Sequence, residues 1–484
     1  METEGCVGGV DGFLASVSEA AARFKALPRT APVRIISHID ADGISACATL
    51  IKALLRESRL HAVRVVQNLN ETAVKELARE EYPAVVFVDL GSGQLNDIVT
   101  HLKGKQVFIL DHHPPQPCEV PSWVMQVNPH LFGMDGGSVI SGSGVAWLFA
   151  RALNAANGDM AHIALIGMLG DMQSADASSL NRSIVEAACS SGKVSSRKGL
   201  RLFGMQTRPL HKVLEYSTDP LIPGVSGSES GAIQFLKQLG IKPKDSRQQW
   251  RRPIDLSEEE MGRLATGIVL SRLGDGSPVA PVKAEDVIGD IYLLEDEEEG
   301  TSFRDAKEFA TVLNACGRMD RASVGIGACL GDKAMKRAAM ETVAEYRHEI
   351  MNALRWVERN RGSGRVHEGK GYVIINAGAE VPHTIIGTVA SILSKGSNYP
   401  AGTFILSLAE TRDSALKASL RASGDRGGFD LREVVQRMTA RIPGAMSGGH
   451  RNAAGALIPQ DAEKEFLAEA HAVLAKHALE ERVV

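Results

Sequence analysis

Three short segments near the start of the chain are largely apolar and end in, or are followed at once by, acidic and histidine residues. They are VRIIS at 33–37, AVVFVDLG at 84–91 and QVFILDHH at 106–113. Between them, apolar residues recur at helical spacing, as in ISACATLIKALLRE at 44–57 and TAVKELARE at 72–80. Strands that are apolar on both faces need a cover on both sides, which helices between parallel strands provide. The pattern predicts an α/β domain built on a parallel sheet.

Acidic and histidine side chains gather where these strands are predicted to end. The carboxyl ends of parallel strands meet at one edge of the sheet, and ligand sites lie there. A further carboxylate ends the helical pattern ALIGMLGD, where the helix dipole disfavours a negative charge without a counter-charge. Carboxylate oxygens and imidazole nitrogens suit Mn²⁺ or Mg²⁺ better than thiolate-binding metals do. The candidate residues are His38, Asp40, Asp42, Asp89, Asp111, His112, His113 and Asp171.

Each of these segments, taken alone, has a simpler explanation. One aspartate at a strand end is more often a helix cap, and a lone DHH is as often a turn with a satisfied histidine. Because four segments deliver such residues to one edge, we favour a pair of divalent cations. Gly43 is expected to allow a sharp turn after the first ligands. The glycine-rich stretch 133–144 lacks the Lys-Ser/Thr ending of a P-loop and is expected to cap the next helix.

Composition narrows the possible functions. A chain of 484 residues is expected to form two or three domains. Its net charge of −4 argues against a basic surface that wraps nucleic acid throughout, so any nucleic-acid site must be local. The six cysteines are scattered without a C-x-x-C pair, which fits a reducing compartment. Without a signal-peptide pattern or a long apolar run, the chain is predicted to be cytoplasmic, with no membrane partner.

The rhythm of strands and helices divides the chain into four parts. Residues 1–194 carry the first α/β pattern. Residues 195–333 lose the alternation and are predicted to be mostly helical; their acidic loop, Glu295–Glu299, would repel a phosphate backbone. Residues 334–361 read as one long connector helix, and residues 362–484 return to alternating strands and helices. A second α/β domain is therefore predicted to close the chain.

Five motifs, in order, resemble those of the DHH phosphoesterase superfamily. SHIDADG, the aspartate of FVDLG, ILDHHPP and IGMLGD are similar to the four motifs of its first domain. MSGGHRNAAGA at 446–456, with KASLRAS upstream, looks like the motif of its C-terminal DHH-associated domain. TRPLHKVLEYSTDPLIPGVSGSESGAIQFL and FATVLNACGRM resemble the archaeal RecJ-like nucleases, including the GINS-associated nuclease. One departure is Ser447, where many members have a glycine; its small side chain should alter the loop only slightly.

The resemblance implies a role for each candidate residue. One cation is held by His38 and Asp40, the other by Asp42, His112 and Asp171, and Asp89 bridges the two. Asp111 orients His112, and His113 faces the scissile phosphate as a hydrogen-bond donor or proton carrier. A water between the cations is the nucleophile.

The C-terminal domain is implied to hold the substrate. The sequence from Arg412 to Arg451 contains eight Lys and Arg residues and four acidic residues. This local excess of positive charge can bind phosphates. A solvated helix face explains Arg432, Arg437 and Arg441 equally well. The resemblance assigns substrate binding to Ser419, Arg421, Gly448, Gly449, His450 and Arg451.

Three classes of function compete. The leading one is a two-metal exonuclease on single-stranded nucleic acid in DNA replication or repair. The residues alone do not decide between DNA and RNA or between the two directions of cleavage. The resemblance favours DNA and 5′ to 3′ cleavage. The alternatives are a short-oligonucleotide or nucleotide phosphoesterase or 3′ RNA exonuclease, and a non-catalytic replisome scaffold like the eukaryotic relative that has lost its metal ligands. GINS is the candidate protein partner, through residues 195–300, although that region could merely brace the two domains.

Overall fold

A computed structural model describes residues 8–217, 220–274, 287–396, 399–424 and 430–480. The chain divides into two compact units, Met1–Val343 and Ala344–Val484, and each is described by itself. Among the described residues, none of the helices is both long and apolar enough to cross a membrane.

The first unit contains the predicted parallel sheet. Its strands are β1 (Val33–His38), β2 (His61–Val66), β3 (Ala84–Val88), β4 (Gln106–Leu110) and β5 (Val124–Val127). All four pairings are parallel, and the spatial order is β2-β1-β3-β4-β5. The sequence pattern missed β5. The parallel-sheet α/β fold that it predicted is confirmed.

Helices cover both faces of this sheet. They are α1 (Gly9–Ala26), α2 (Ala41–Arg56), α3 (Glu71–Arg79), α4 (Leu95–His101), α5 (Gly136–Val139), α6 (Gly142–Leu153), α7 (Ala161–Gly170) and α8 (Ser179–Ser190). Val107 and Ile109 of β4 belong to an apolar cluster with residues of α3 and α4. Phe108 points to the other face, where its ring lies 5.3 Å from that of Phe24 in α1. Because alternate residues of a strand face opposite sides, this apolar run requires both layers.

The middle of the chain is mostly helical, as expected, but a two-stranded sheet frames it. Antiparallel strands β6 (Val194–Leu200) and β7 (Ile288–Leu294) enclose α9 (Leu210–Glu215), α10 (Glu229–Gln238) and α11 (Glu258–Gly274). These elements share an apolar core of their own, which includes Leu210, Leu236 and Leu264. The predicted region also covers 218–219 and 275–286, which lie outside the described residues.

Two further helices, α12 (Ala306–Arg318) and α13 (Ala322–Cys329), pack against α7 and α2 respectively. The end of the predicted middle region therefore belongs with the helices around the parallel sheet. Helix α14 (Lys333–Arg359) matches the predicted connector within two residues at each end, and the division between the units falls inside it.

The second unit is built on a six-stranded mixed sheet in the order β12-β13-β11-β10-β9-β8. Its strands are β8 (Val366–Gly369), β9 (Tyr372–Asn376), β10 (Phe404–Glu410), β11 (Ala415–Ala422), β12 (Met446–His450) and β13 (Ala453–Pro459). Only β9 and β10 pair in parallel. Helices α15 (His383–Lys395), α16 (Leu431–Thr439) and α17 (Glu463–Glu480) accompany the sheet. The C-terminal α/β domain that the sequence pattern predicts is confirmed.

Candidate metal centre

The carboxyl ends of β1, β3 and β4 and the end of α7 bring the predicted ligands together. Three groups of side chains have ligand atoms within 4.8 Å of one another: His38 with Asp40 and Asp89; Asp42 with His112 and Asp171; and Asp89 with His112 and His113. The first two groups contain the residues that the resemblance assigns to the two cation sites. Asp89 belongs to the first group, and in the third group it lies beside His112, which belongs to the second group. Asp89 therefore lies between the two predicted sites, as a bridging ligand must.

Asp89 is the most constrained residue of the cluster. Its side chain is 1% exposed, and its backbone has a left-handed φ of 59°, which is uncommon for a residue other than glycine. Neither carboxylate oxygen makes a hydrogen bond to the described residues. The nearest imidazole nitrogens are Nε2 of His112 at 3.3 Å and Nδ1 of His38 at 3.5 Å. A buried carboxylate without hydrogen-bond partners is costly. The Asp89 carboxylate and the two imidazole nitrogens beside it therefore suit a bound cation well.

The N-terminus of α6 holds Asp42. The backbone N–H groups of Gly142 and Ser143 donate to its two carboxylate oxygens at 2.6 and 3.0 Å. A Cβ atom at Gly142 would lie 2.5 Å from Oδ1 of Asp89, so only glycine fits between the two carboxylates. The glycine-rich stretch 133–144 thus places a helix N-terminus, which favours negative charge, against the predicted ligands.

Asp40 is both a ligand candidate and the N-cap of α2. Its Oδ1 accepts from the backbone N–H of Gly43 at 3.0 Å, and its Oδ2 lies 3.0 Å from Nδ1 of His38. Gly43 has no left-handed backbone and belongs to α2 itself. A Cβ there would lie 2.5 Å from the carbonyl oxygen of His38. The expectation of a sharp turn at Gly43 was wrong: glycine is needed because the helix starts against the end of β1.

The hydrogen bonds of the DHH segment correct one predicted role. Asp111 was expected to orient His112, but its Oδ1 accepts from Nδ1 of His113 at 2.8 Å. The ring of His112 instead donates from Nδ1 to the backbone carbonyl of Gly136 at 2.9 Å. Because that bond fixes the tautomer, Nε2 of His112 is left to face Asp89 and is available as a metal ligand. Asp111 is therefore the positioning residue for His113.

The two histidines of this segment differ in exposure. The side chain of His112 is 2% exposed and that of His113 is 38% exposed. Burial alone would lower the pKa of His113, but the Asp111 carboxylate raises it to about 9. The protonated ring of His113 can therefore present an N–H donor at neutral pH. The third cluster of ligand atoms also allows His113 to act as a ligand.

The carboxylates farthest from a counter-charge resist ionisation. Burial, followed by the charges of Asp89 and Asp171, raises the pKa of Asp42 well above its usual range. Burial raises the pKa of Asp171 to about 6. Divalent cations at this edge would reverse both effects, because opposite charge favours the ionised carboxylates.

Sequence reasoning missed two polar residues that hold the ligands in place. Gln173 donates from Nε2 to Asp171 and to the carbonyl of Gly136, both at 2.9 Å, and so supports Asp171 directly and His112 through Gly136. Asn128 donates to the backbone carbonyl of His113 at 2.8 Å. Asn128 directly follows β5, so the rule that ligand-site residues end strands would have found it had β5 been recognised.

Four of the predicted substrate residues lie on two strands of the second unit that are separated by a single strand. Ser419 and Arg421 are on β11, and Gly448 and Gly449 are on β12, with β13 between the two strands. The Arg421 side chain donates from Nε to Oγ of Ser391 at 3.0 Å. Gly449 has a φ of 128°, and a Cβ there would lie 2.4 Å from the carbonyl oxygen of Ala453.

The remaining substrate predictions are placed less fully. Arg451 follows β12 and is exposed. His450 ends β12, but its side chain lies outside the described residues, as do Asp425 and Arg426 of the basic stretch. Of the helix-face arginines, Arg432 pairs with Asp430 at 2.5 Å, which supports the reading of a solvated face for that residue.

Comparison with known proteins agrees with this arrangement. The DHH family N-terminal domain matches residues 32–169, the DHH-CID domain 202–285 and the DHHA1 domain 369–476. Uncharacterized protein MJ0831 of Methanocaldococcus jannaschii is 30% identical over 441 residues, covering 90% of this chain and 91% of that protein.

Two solved structures share the fold across nearly the whole chain. RecJ from Thermus thermophilus in complex with Mn²⁺ has a TM-score of 0.56 and 18% identity over 95% of this chain, which spans 55% of that longer RecJ chain. CDC45 from Entamoeba histolytica has a TM-score of 0.58 and 12% identity, covering 96% of this chain and 98% of that one.

The parallel sheet lies within the match to the DHH family N-terminal domain, and the mixed sheet of the second unit lies almost entirely within the match to the DHHA1 domain. The chain belongs to the DHH superfamily and shares its fold with RecJ.

Proposed function

We propose that this chain is a two-metal-dependent phosphodiesterase that acts as an exonuclease on single-stranded nucleic acid. DNA is the favoured substrate, 5′ to 3′ the direction, and cytoplasmic DNA replication or repair the setting. One observation carries the proposal: the buried Asp89 carboxylate, which has no hydrogen bond to the described residues, lies between His38 and His112. Mn²⁺ is the favoured cation and Mg²⁺ the alternative.

The proposed ligands divide into two sets around Asp89. His38 and Asp40 would hold one cation, and Asp42, His112 and Asp171 the other. Such cations lower the pKa of a bound water toward neutrality and stabilise charge on attacking and leaving oxygens. The N-terminus of α6 keeps Asp42 in place, and Gly136 keeps Nε2 of His112 directed at Asp89.

His113 is the proposed contact to the scissile phosphate. Asp111 holds the ring through Nδ1, which leaves the other ring nitrogen free to donate to a phosphate oxygen. Asp89 and His112 are almost fully buried, whereas His113 is 38% exposed and so is accessible to a substrate. A recessed site of this kind favours a single strand over a wide duplex.

The C-terminal residues are proposed to bind the substrate backbone. Arg421 carries a guanidinium, Ser419 a hydroxyl, and the strand with Gly448 and Gly449 has backbone N–H groups without bulky side chains beside them; all three are suitable partners for phosphate. Arg421→Ala should raise KM by about tenfold, the loss of one charged hydrogen bond. Arg432→Ala, which removes an arginine already paired with Asp430, is the matched control and should leave KM unchanged.

The direct test uses end-labelled substrates. The purified chain is incubated with Mn²⁺, Mg²⁺ or EDTA and with DNA and RNA single strands labelled at either end, with blunt duplex DNA alongside. Metal-dependent release of mononucleotides from the 5′ end of single-stranded DNA supports the proposal. Cleavage of a labelled dinucleotide, tested in parallel, without cleavage of the longer strands would favour the short-oligonucleotide hydrolase. Release from the 3′ end of RNA would favour the RNA exonuclease, and no hydrolysis in any metal would favour the scaffold.

The middle region is the proposed surface for a protein partner, with the GINS complex as the candidate. Its helix α11 exposes two leucines that no core residue covers, Leu270 at 61% and Leu273 at 59%. Leu270→Asp with Leu273→Asp should abolish co-purification with GINS and leave hydrolysis of a short strand intact. Leu55→Asp with Leu60→Asp, which changes leucines that are exposed to 60% and 67% outside the middle region, is the control. Lost hydrolysis with retained GINS binding would show that the region supports the catalytic domain instead.

A further inference from the structure

A short segment of the middle region is strongly basic in an otherwise acidic chain. Residues 242–252 contain five Lys or Arg residues and one acid, a net charge of +4 against −4 for the whole chain. Arg251 and Arg252 are neutralised by Glu260 at 2.6 Å and Asp255 at 3.6 Å. The side chains of the other three form no hydrogen bond or ion pair with the described residues: Lys242, Lys244 and Arg247.

The backbone of this segment is a closed loop that presents these charges together. Lys244 and Trp250 form an antiparallel bridge across its base. Inside the loop, Oδ1 of Asp245 accepts from the backbone N–H groups of Arg247 and Gln249, both at 2.8 Å. The one acidic side chain is therefore used to fix the loop and is not available to neutralise the lysines. The loop needs little further ordering to meet a ligand.

Aromatic rings accompany the charges. Trp250 is 38% exposed; its ring lies 3.9 Å from that of the buried His211, and Nζ of Lys244 lies 4.5 Å from its centroid. Tyr216, at the end of α9, is 55% exposed, and the guanidinium of Arg208 and the ammonium of Lys212 lie 5.7 and 5.5 Å from its ring. The rings are thus held in position beside cations while part of their surface faces solvent.

The loop and α9 form one continuous surface. The backbone N–H of Leu210, the first residue of α9, donates to the carbonyl of Arg251 at 2.7 Å. Both segments rest on the apolar core of the middle region, which shares no residue with the metal centre. We call the exposed residues Tyr216, Lys242, Lys244, Arg247 and Trp250 the basic–aromatic face. Changes to this face should therefore leave the cation ligands undisturbed.

The loop carries three cations without a hydrogen-bond or ion-pair partner among the described residues, together with a partly exposed tryptophan, and a partly exposed tyrosine lies at the end of α9. This combination matches the chemistry of a single strand of nucleic acid. Its phosphates need the cations, and its unstacked bases need a π surface. We propose that the basic–aromatic face binds an unpaired strand of nucleic acid at a place apart from the metal centre. The acidic loop Glu295–Glu299 does not oppose this, because Glu295, Asp296 and Glu297 are already paired with cations of the chain.

This inference extends the proposed function but is tested without hydrolysis. Binding of a fluorescent 20-nucleotide oligo-dT to the full-length protein is measured by anisotropy in EDTA across a salt series. Lys242→Glu, Lys244→Glu and Arg247→Glu together should weaken binding at least tenfold. They should also reduce the slope of log affinity against log salt by about 2, since each phosphate contact of a single strand contributes about 0.7. Trp250→Ala should weaken binding about fivefold by removing a stacking surface and leave the slope unchanged.

A matched triple variant controls for total charge. Arg79, Lys103 and Lys333 are exposed and form no side-chain ion pair or hydrogen bond with the described residues, so their replacement by Glu makes the same change in net charge elsewhere. The control should bind oligo-dT within twofold of the wild type, and melting temperatures should show that every variant is folded. Equal weakening by the control, or normal binding by both face variants, would overturn the proposal. Retained DNA binding with loss of GINS co-purification would assign the face to a protein.

Failure of this proposal is separable from failure of the proposed nuclease. If face variants lose oligo-dT binding while the wild type hydrolyses nothing in Mn²⁺, the binding face stands and the nuclease proposal falls. If the wild type is a nuclease, the triple variant should keep its kcat/KM on a dinucleotide, which is too short to reach both sites, and lose at least tenfold on a 30-nucleotide strand. An equal loss on both substrates would contradict a separate face.

Discussion

The candidate metal centre and the loop Glu295–Glu299 are both rich in acidic residues, but they differ in whether Lys and Arg side chains of the chain pair with the carboxylates. In the loop, three of five acids have cationic partners from the same chain: Glu295 with Arg304, Asp296 with Lys193, and Glu297 with Lys336. Hydrogen bonds from Lys193 lower the pKa of Asp296. At the metal centre no Lys or Arg pairs with the acids among the described residues, and burial raises the pKa of Asp42.

This difference shows what distinguishes an acidic surface from a cation site. The loop satisfies its own charges at the surface, where each pair adds little stability. The centre buries carboxylates that no Lys or Arg of the described chain neutralises, and cations bound from outside would stabilise their ionised form. Substitutions in the two regions should therefore have very different consequences.

The largest effect is expected from Asp89→Ala. Loss of the carboxylate between the two cation groups should lower the rate of single-strand hydrolysis by about 1,000-fold or more, because bound cations supply several kcal/mol of transition-state stabilisation. Glu298→Ala, in the exposed loop, is the matched control and should retain full activity. Rates are compared in Mn²⁺ after melting curves confirm folding. Near-normal hydrolysis by a folded Asp89→Ala protein would remove the two-metal mechanism.

His113→Ala is expected to come next. Removal of the proposed proton donor should lower kcat by about 100- to 10,000-fold, while calorimetry should show Mn²⁺ affinity within a few-fold of the wild type. His61→Ala is a control in a half-buried histidine outside the three clusters of potential ligands. Loss of one Mn²⁺ site in His113→Ala would mean that His113 is a ligand and that its proposed role is wrong.

A smaller effect is expected from Gln173→Ala. This residue holds Asp171 and the carbonyl that orients His112, and supporting residues of this kind contribute about 10- to 100-fold to metal affinity. Mn²⁺ titrations of the variant and of Gln238→Ala, an exposed glutamine in α10, measure the difference. If Gln173→Ala binds Mn²⁺ as tightly as the control, the hydrogen bonds of Gln173 do not position the ligands.

The smallest effect concerns backbone strain beside the centre. Met172, next to Asp171, has a left-handed φ of 59° and is 87% exposed, so it has the conformation of Asp89 without its burial. Met172→Gly should raise the free energy of unfolding by about 1 kcal/mol, since glycine adopts this backbone without a steric cost. Urea unfolding of Met172→Gly and Met172→Ala gives the comparison. Equal stability of the two variants would show that the strain is negligible.

Much of the first domain could be predicted because its signals are local. Apolar runs such as AVVFV determine buried strands, and the strand-end rule places His38, Asp89 and His112 at one edge. Strand β5 escaped notice because it is only four residues long and is partly covered, so its period is not visible. Because β5 was not predicted, Asn128, which directly follows it, was not identified either.

The hydrogen-bond partners inside the centre could not be predicted in the same way. Whether Asp111 orients His112 or His113 depends on which ring nitrogen faces the Gly136 carbonyl, 24 residues away in sequence. Position 142 requires glycine because Asp89, which comes from a distant segment of the chain, lies against it. Contacts between distant segments produce no periodic pattern of residue types in a single sequence, so they cannot be predicted from it.

The central claim is that Asp89 and its neighbours hold two divalent cations. Titration calorimetry of Mn²⁺ into the EDTA-treated and desalted full-length protein tests it most directly, with Asp89→Asn as the variant and Glu298→Gln as the control. We predict two Mn²⁺ ions per chain for the wild type and the control, and the loss of at least one of them in Asp89→Asn. One ion or none in the wild type, or two ions bound unchanged by Asp89→Asn, would contradict the account.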